Sequence, residues 1–395
     1  MQKLLVVGGS HSDLPLIESG LLHGLVVHTT GNRPDHPGHR IGHGHVPGDY
    51  AQPQEIVDVA RRLGVDFVVP GANDFAMMSA AVVADALKLP GFDPVETTRM
   101  LHLKDRFKDF AASLDMPACR HVILRRGDER PFEEQLKGLR FPIMIKPVDL
   151  TGGKGITRVE DLGGVPLAIA EARRLSSRDE LVAEEWFDGG LYSYSTVVVS
   201  GEIAFEYTDT ELCMFQDHLV STSLSICPVH PEALQAVRQA TRRMVKALRL
   251  VDGVLHAQFM AREGEARVLE YTRRMSGDLY SRVVQLVRGC RHADVFVKAA
   301  TGQPVLPSLE VTQPRQAFVS RHCITAEQSG IFTGIEVSDR IRPFIDSLAM
   351  AQSFGAPVQG DGRSKVAVAI LSFPSEREMM DFAKSARQDL RCLVG

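Results

Sequence analysis

Lys146 and a glycine-rich turn close behind it are the first residues here that could do chemistry. The segment Phe141-Pro142-Ile143-Met144-Ile145-Lys146-Pro147 reads as a buried strand that delivers the lysine, and Thr151-Gly152-Gly153-Lys154-Gly155-Ile156 follows at once. Glycines let successive backbone N–H groups turn toward an anion with no Cβ in the way, which cradles a phosphate. A Walker A loop would need GxxxxGK[ST] and would open a helix. Here Gly155-Ile156-Thr157-Arg158-Val159 alternates like a strand. The candidate is therefore a hairpin tip, with an ordinary glycine turn as the alternative.

A second set lies downstream. Two strand-like runs, 254–261 and 266–272, are joined at Arg262-Glu263-Gly264-Glu265, and Gln258 and Glu270 stand equally far either side of Gly264. A symmetric hairpin pairs them across the strands, and period-two alternation puts His256, Gln258, Glu270 and Thr272 on one face. One carboxylate and two neutral oxygen donors suit Mg²⁺ held jointly with nucleotide phosphates. Arg273-Arg274 follows, where a cation could neutralise charge on a transferred phosphoryl group. Between the two sets, Leu181-Val182-Ala183-Glu184-Glu185-Trp186-Phe187 is a short strand ending in acids and aromatics, an edge able to hold an adenine. The alternative for each is structural: a solvated sheet face and a plain strand end.

The elements that must position these groups are legible in outline. Leu4–Val7, 25–27 and 65–69 are short apolar runs separated by helical stretches, the pattern of a parallel sheet with crossover helices. Ligands on such sheets bind beyond the carboxyl ends of the strands, which here carry Gly8-Gly9-Ser10-His11, Thr29-Thr30-Gly31-Asn32 and Gly71-Ala72-Asn73-Asp74. A dinucleotide fingerprint is absent: the glycines are out of register and no acid ends the second strand. His36, His39, His43 and His45 crowd one Pro/Gly-rich loop, read as solvated for want of a helical His pair or a Cys. Lys104–Leu114 and Pro231–Leu250 read as amphipathic helices, 141–200 as strands and turns, and Glu376–Leu390 as a final helix. Asp209, Glu211 and Asp278 could meet an amine but read as surface acids.

Composition sets the class. With 395 residues, 45 basic against 49 acidic side chains and 44% hydrophobic content, the chain is expected to be globular. It has no basic excess for nucleic acid and no apolar run long enough for a membrane span. Its six cysteines include no CxxC pair, so reduced thiols in a cytoplasmic protein are expected rather than a disulfide frame or zinc site.

The order of the parts resembles the ATP-grasp superfamily over roughly residues 1–300, closest to its carboxylate–amine ligases and the synthetase portions of carbamoyl-phosphate synthase and biotin carboxylase. That order is a helix lysine, a lysine with a glycine hairpin, a Glu-Glu-aromatic hinge, and a late hairpin ending Glu270-Tyr271-Thr272-Arg273-Arg274. The resemblance implies an α/β fold: an N-terminal Rossmann-like domain (1–97), an ATP-grasp domain (98–303) with a mobile lid at about 118–186, and a small C-terminal α+β domain (304–395). It implies ATP and Mg²⁺, or Mn²⁺, as cofactors. Lys104 and Lys146 would serve the α- and β-phosphates, and the Gly152-Gly153-Lys154-Gly155 turn the γ-phosphate. Glu184, Glu185, Trp186, Phe187 and Leu269 would surround the adenine, and His218 the ribose, since Leu191 replaces the usual ribose acid. Gln258, Glu270 and Thr272 would hold the metal, with Thr272 in place of the usual asparagine. Arg274, with Arg273 and Lys154, would act in catalysis.

The implied function is a ligase that turns a small carboxylic acid into an acyl phosphate and couples it to an amine, acting as a homodimer. A carboxylase or kinase with the same phosphate machinery, and a nucleotide-binding regulator without catalysis, are the alternatives.

Overall fold

The computed structural model describes residues 1–150, 152–178, 180–214, 219–309 and 316–395. The N-terminal apolar runs form β1 (Lys3–Val7), β2 (Val26–Gly31), β3 (Gly44–Pro47) and β4 (Phe67–Pro70), all parallel in the order β3-β2-β1-β4. Crossover helices cover them, as the alternation requires. Asn73 caps the helix Asp74–Leu87, its side chain accepting from Phe75 N at 2.9 Å, so Asp74 sits at the helix start beside the β4 strand end.

A second sheet of β5 (His121–Leu124), β6 (Ile143–Pro147), β7 (Thr157–Val159) and β8 (Leu181–Glu185) is antiparallel, ordered β5-β8-β6-β7. β6 and β7 form the hairpin expected around the glycine turn. The helix Val165–Leu175 between β7 and β8 corrects the reading of 141–200 as strands and turns. Its buried positions Val165, Ala168, Ile169 and Ala172 pack on Ile143, Ile145 and Leu181, an i, i+3, i+4, i+7 stripe built largely from small residues.

The largest sheet is antiparallel with eight strands. These are β9 (Gly190–Val199), β10 (Glu202–Cys213), β11 (Val220–Leu224), β12 (Gly253–Arg262), β13 (Glu265–Thr272), β14 (Phe318–Thr325), β16 (Ile345–Met350) and β18 (Lys365–Phe373). Their order is β13-β12-β9-β10-β11-β14-β18-β16. Strands from either side of residue 303 thus share one sheet. Three more strands, β15 (Gly330–Val337), β17 (Pro357–Val358) and β19 (Leu390–Val394), form a small sheet at its end. The helix Pro231–Leu248 covers one face with Val237, Met244 and Val245 against Leu255, Phe259 and Tyr271. The helices Tyr280–Arg288 and His292–Ala300 cover part of the other and join it to the parallel sheet through Phe296, Val295, Leu4 and Val6.

The histidine-rich segment is ordered rather than a solvated loop: a 3-10 turn, Pro37–Arg40, leads into β3. His39 is buried, stacked on His45 at 3.8 Å, with Nδ1 2.8 Å from Thr29 Oγ1. No disulfide joins any of the six cysteines. Among the described residues no helix is long and apolar enough to cross a membrane.

Candidate active site

A cavity of about 420 Å³ opens where the three larger sheets meet. At one end stand the lysines. Lys104 begins the helix Lys104–Ser113, and its Nζ donates to Leu150 O at 2.5 Å. Lys108, one turn later on the same face, lies 2.6 Å from Glu184 Oε2, and Lys146 Nζ donates to Glu184 Oε1. Glu184 is 1% exposed. Burial alone would raise its pKa, but the Lys108 and Lys146 ammonium groups outweigh it and hold the carboxyl at about 2. Lys108 was not read from the sequence, although its i+4 spacing from Lys104 on an amphipathic helix was there to be used.

The hinge and glycine turn divide their roles. Gly152 and Gly153 border the cavity with φ of 62° and 70°, a left-handed backbone that glycine adopts without strain. Gly155 backs onto Pro147, where an added Cβ would lie 2.8 Å from Cγ. Lys154 is exposed and does not border the cavity, so the structure does not bring it to the other site residues. Glu184, Glu185, Trp186 and Phe187 all border the cavity, although Glu185 also accepts from Arg140 N at 3.0 Å. Arg158 stacks over the Trp186 ring, and Arg262 and Arg267 over Phe187. Met144, Val182, Met260 and Leu269 supply apolar walls. His218 lies outside the described residues.

The late hairpin carries the oxygen donors. Gln258 faces Glu270 and His256 faces Thr272 across β12 and β13. The hairpin is not symmetric about Gly264, however: Arg262 pairs with Glu265, and the register shifts at Phe259. A β-bulge at Leu269–Glu270 makes that shift, and both of its residues border the cavity. Gln258 Nε2 donates to Glu211 Oε2 at 2.6 Å, which leaves the amide oxygen of Gln258 available. Among the described residues, no three His, Cys, Asp or Glu side chains are placed to hold a metal. The donor set of Glu270, Gln258 and Thr272 is all oxygen and small, so it fits a hard divalent cation only if phosphates complete the shell.

The two arginines part ways. Arg274 borders the cavity, its Nε donating to Asp74 Oδ1 at 2.6 Å, while His102 Nδ1 lies 2.9 Å from the same oxygen. Burial would raise the Asp74 pKa, yet the Arg274 charge and His102 hold it well below the usual carboxylate range. Arg273 corrects the sequence reading. It turns away and spends its donors on Asp93 Oδ2 at 2.7 Å, Val254 O and Val251 O, since successive residues in extended chain face opposite ways.

The far end holds what the sequence reading took for surface acids. Asp209 is 0% and Glu211 6% exposed. They extend the buried face Phe205-x-Tyr207-x-Asp209-x-Glu211 of β10, and that alternation was the signal to find them. Burial pushes both carboxyls up, Glu211 to about 8 and Asp209 to about 6. Asp278 pairs with Lys365 and lies 3.7 Å from Arg321 and 3.5 Å from His11. Asp278 and Leu279 are both left-handed, with φ of 57° and 60°, a strained turn of the kind that gathers at functional sites.

No family model matches the chain. Over 177 residues, 45% of this chain and 40% of the relative, it is 25% identical to a formate-dependent phosphoribosylglycinamide formyltransferase of Rhodococcus jostii. The match thus spans less than half of that relative's length. Its structure superimposes on an L-amino acid ligase from Bacillus licheniformis with a TM-score of 0.83 and 18% identity, covering 100% of this chain and 99% of the other. It superimposes with a TM-score of 0.78 and 16% identity on the biotin carboxylase domain of the Hydrogenobacter thermophilus 2-oxoglutarate carboxylase, covering 99% and 90%. The latter was solved with MgADP, ADP and bicarbonate. These relatives are ATP-grasp proteins. The chain has the ATP-grasp fold.

Within the ATP-grasp fold of this chain, the cavity brings together Lys104, Lys146, Gly152, Gly153, the 184–187 hinge, Gln258, Leu269, Glu270, Thr272 and Arg274. The residues that sequence reasoning missed are Lys108, Arg321 and Lys365. Arg321 and Lys365 reach the site by strand register alone, and no local motif marks them.

Proposed function

We infer that the chain is an ATP-dependent ligase that activates a small carboxylic acid as an acyl phosphate and couples it to an amine. The observation that carries this reading is one cavity with lysines and a glycine hairpin at one end and Glu270, Gln258 and Arg274 at the other. In it, Lys104 and Lys146 bind the phosphates, and Gly152 and Gly153 close over the γ-phosphate. The 184–187 hinge and Leu269 hold the adenine. The segment 118–186 acts as the lid of a 98–303 domain that follows 1–97, and residues 304–395 extend its large sheet with β14, β16 and β18.

Glu270, Gln258 and Thr272 would hold Mg²⁺, which would neutralise phosphate charge. Glu211 steadies Gln258 by accepting its amide N–H, which would leave the carbonyl oxygen for the metal. Arg274, steadied by Asp74, orients the substrate carboxylate against the γ-phosphate. It then stabilises the acyl phosphate until an amine displaces phosphate. Positioning and charge neutralisation carry phosphoryl transfer, and every group named here does one or the other.

Hydroxylamine trapping tests the reading. With MgATP and a panel of carboxylic acids, the responsive acid should give hydroxamate and ADP in equal amounts. Glu270→Gln and Arg274→Met should each lower the rate by roughly 100-fold or more. ADP formation without hydroxamate from any acid would turn the reading toward a kinase.

A further inference from the structure

We propose that the far end of the cavity takes an α-amino acid as its zwitterion, the ammonium on Glu211 and the carboxylate on Arg321. The inference deepens the ligase reading and rests on it for the reaction served, though not for the binding itself. Glu211 pairs with Ser223 across β10 and β11, and Ser223 with Arg321 across β11 and β14. Residues in one such row project from the same face. Both charged side chains border the cavity, and they are 6% and 4% exposed.

Two ion pairs stand beside them. Asp74 holds Arg274, and Asp278 holds Lys365. Glu211 gives one oxygen to Gln258, while Oε1 accepts nothing among the described residues. Asp209 does not border the cavity: its Oδ1 accepts from the Ser193 and Tyr280 hydroxyls, and its Oδ2 is buried without a partner among the described residues. Arg321 spends Nε on Ser223 Oγ at 3.2 Å and Nη1 on Gly277 O at 3.3 Å, which leaves Nη2 without a hydrogen-bond partner among the described residues. What remains is one carboxyl oxygen of Glu211 and one guanidinium nitrogen of Arg321, whose Nη1 also lies 3.7 Å from Asp278 Oδ2. Buried polar atoms are rarely left without a partner, and a ligand carrying an ammonium and a carboxylate meets both.

A third group points the same way independently. The His256 ring is 6% exposed, borders this cavity, and has no partner for Nδ1. Buried polar atoms are rarely left so without a ligand or water to meet them.

Glu211 and Arg321 stand two strand intervals apart in one row, roughly 10 Å between backbones, and both side chains border the one cavity. A ligand with its ammonium and carboxylate close together suits such neighbours better than one with charges at the ends of a long chain. A plain carboxylic acid would leave Glu211 unmet, and a plain amine would leave Arg321 unmet.

The test is calorimetric titration of the whole protein, with MgADP present, by each common L-amino acid and by its deaminated and decarboxylated analogues. At least one amino acid should bind tenfold or more tightly than either of its own fragments. Glu211→Gln should weaken that amino acid at least tenfold and leave the deaminated acid unchanged, and Arg321→Met should weaken both acids. Because Glu211 also accepts the Gln258 amide, Mn²⁺ affinity with ADP, read by electron paramagnetic resonance, is measured beside the amino-acid titration in Glu211→Gln and is expected to fall as well. Intact amino-acid binding in Glu211→Gln, whatever its Mn²⁺ affinity, would leave Glu211 a metal-positioning residue only and overturn the proposal.

Retained ADP binding checks that each variant folds. Where one does not, the discrimination by the parent protein decides alone. Fragments that bind as well as their amino acids, or no amino acid binding at all, would likewise overturn it. Selective binding without any ADP formation would uphold this site and sink the ligase reading instead. Turnover on acids lacking an amino group, unaffected by Glu211→Gln, would do the reverse.

Discussion

Glu184 gathers two ammonium groups inside the cavity wall, which makes it a structural anchor as well as part of the hinge. Its folded pKa of about 2 lies below the ordinary carboxylate value, so its contribution to stability is complete above the unfolded pKa and disappears as pH falls toward 2. The size is about 3 kcal/mol at neutral pH, from a shift of this order. Denaturant titrations of the parent and Glu184→Gln should therefore differ by a constant amount above about pH 5 and converge through the acid range. A gap that stays constant down to pH 2 would contradict the assigned pairing. The acids of β10 teach a related lesson: polarity alone marked Asp209 and Glu211 as surface groups, but their alternation with Phe205 and Tyr207 placed them inside.

At the scale of elements, the sequence was most legible where periodicity and turn chemistry agreed. The β6–β7 hairpin, the helices Lys104–Ser113 and Pro231–Leu248, and the β12–β13 pairing all stand near where the residues put them. Two elements escaped for physical reasons. The stripe of Val165–Leu175 is weak because alanines occupy half of it. Strand β3 is short and carries a glycine, a histidine and a proline in its four residues, and it is held by parallel pairing to β2 rather than by its own propensity.

Gly9 shows how tightly that histidine segment is packed, since an added Cβ would fall 2.0 Å from the His39 ring. Gly9→Ala should cost about 1–3 kcal/mol, read as a lower denaturant midpoint, and an unchanged midpoint would contradict this packing. The bulge at Leu269 was invisible in the sequence, because a one-residue register shift leaves no mark on composition. It turns Leu269 and Glu270 to the cavity together, so Leu269→Ala should weaken ATP binding about tenfold, as loss of a buried side chain of about 1.5 kcal/mol would. Its midpoint without nucleotide should move little. ATP affinity equal to the parent's would remove Leu269 from the adenine wall.

Over the whole molecule, three sheets converge on one cavity, and residues from distant parts of the chain line it: Ser12 from the first crossover, Lys146 from the second sheet, Arg274 just beyond β13 and Lys365 from β18. The glycine hairpin and the Gln258–Glu270 pair were legible in the sequence because they are local motifs. The far end, where Arg321 and Lys365 arrive by register across the eight-stranded sheet, needed the fold. A ligand bridging these sheets should stabilise them jointly. MgADP at 100 times its Kd should therefore add about 2.7 kcal/mol to the unfolding of the parent and much less to that of Glu270→Gln. The most direct test of the central claim is ADP release from MgATP with an acid and an amine, added singly and together, in the parent and in Glu270→Gln. The account predicts ADP, phosphate and amide product in equal amounts only when both partners are present, and none in the variant. ADP released at the same rate without the amine and with no amide product, or at full rate from Glu270→Gln, would contradict it.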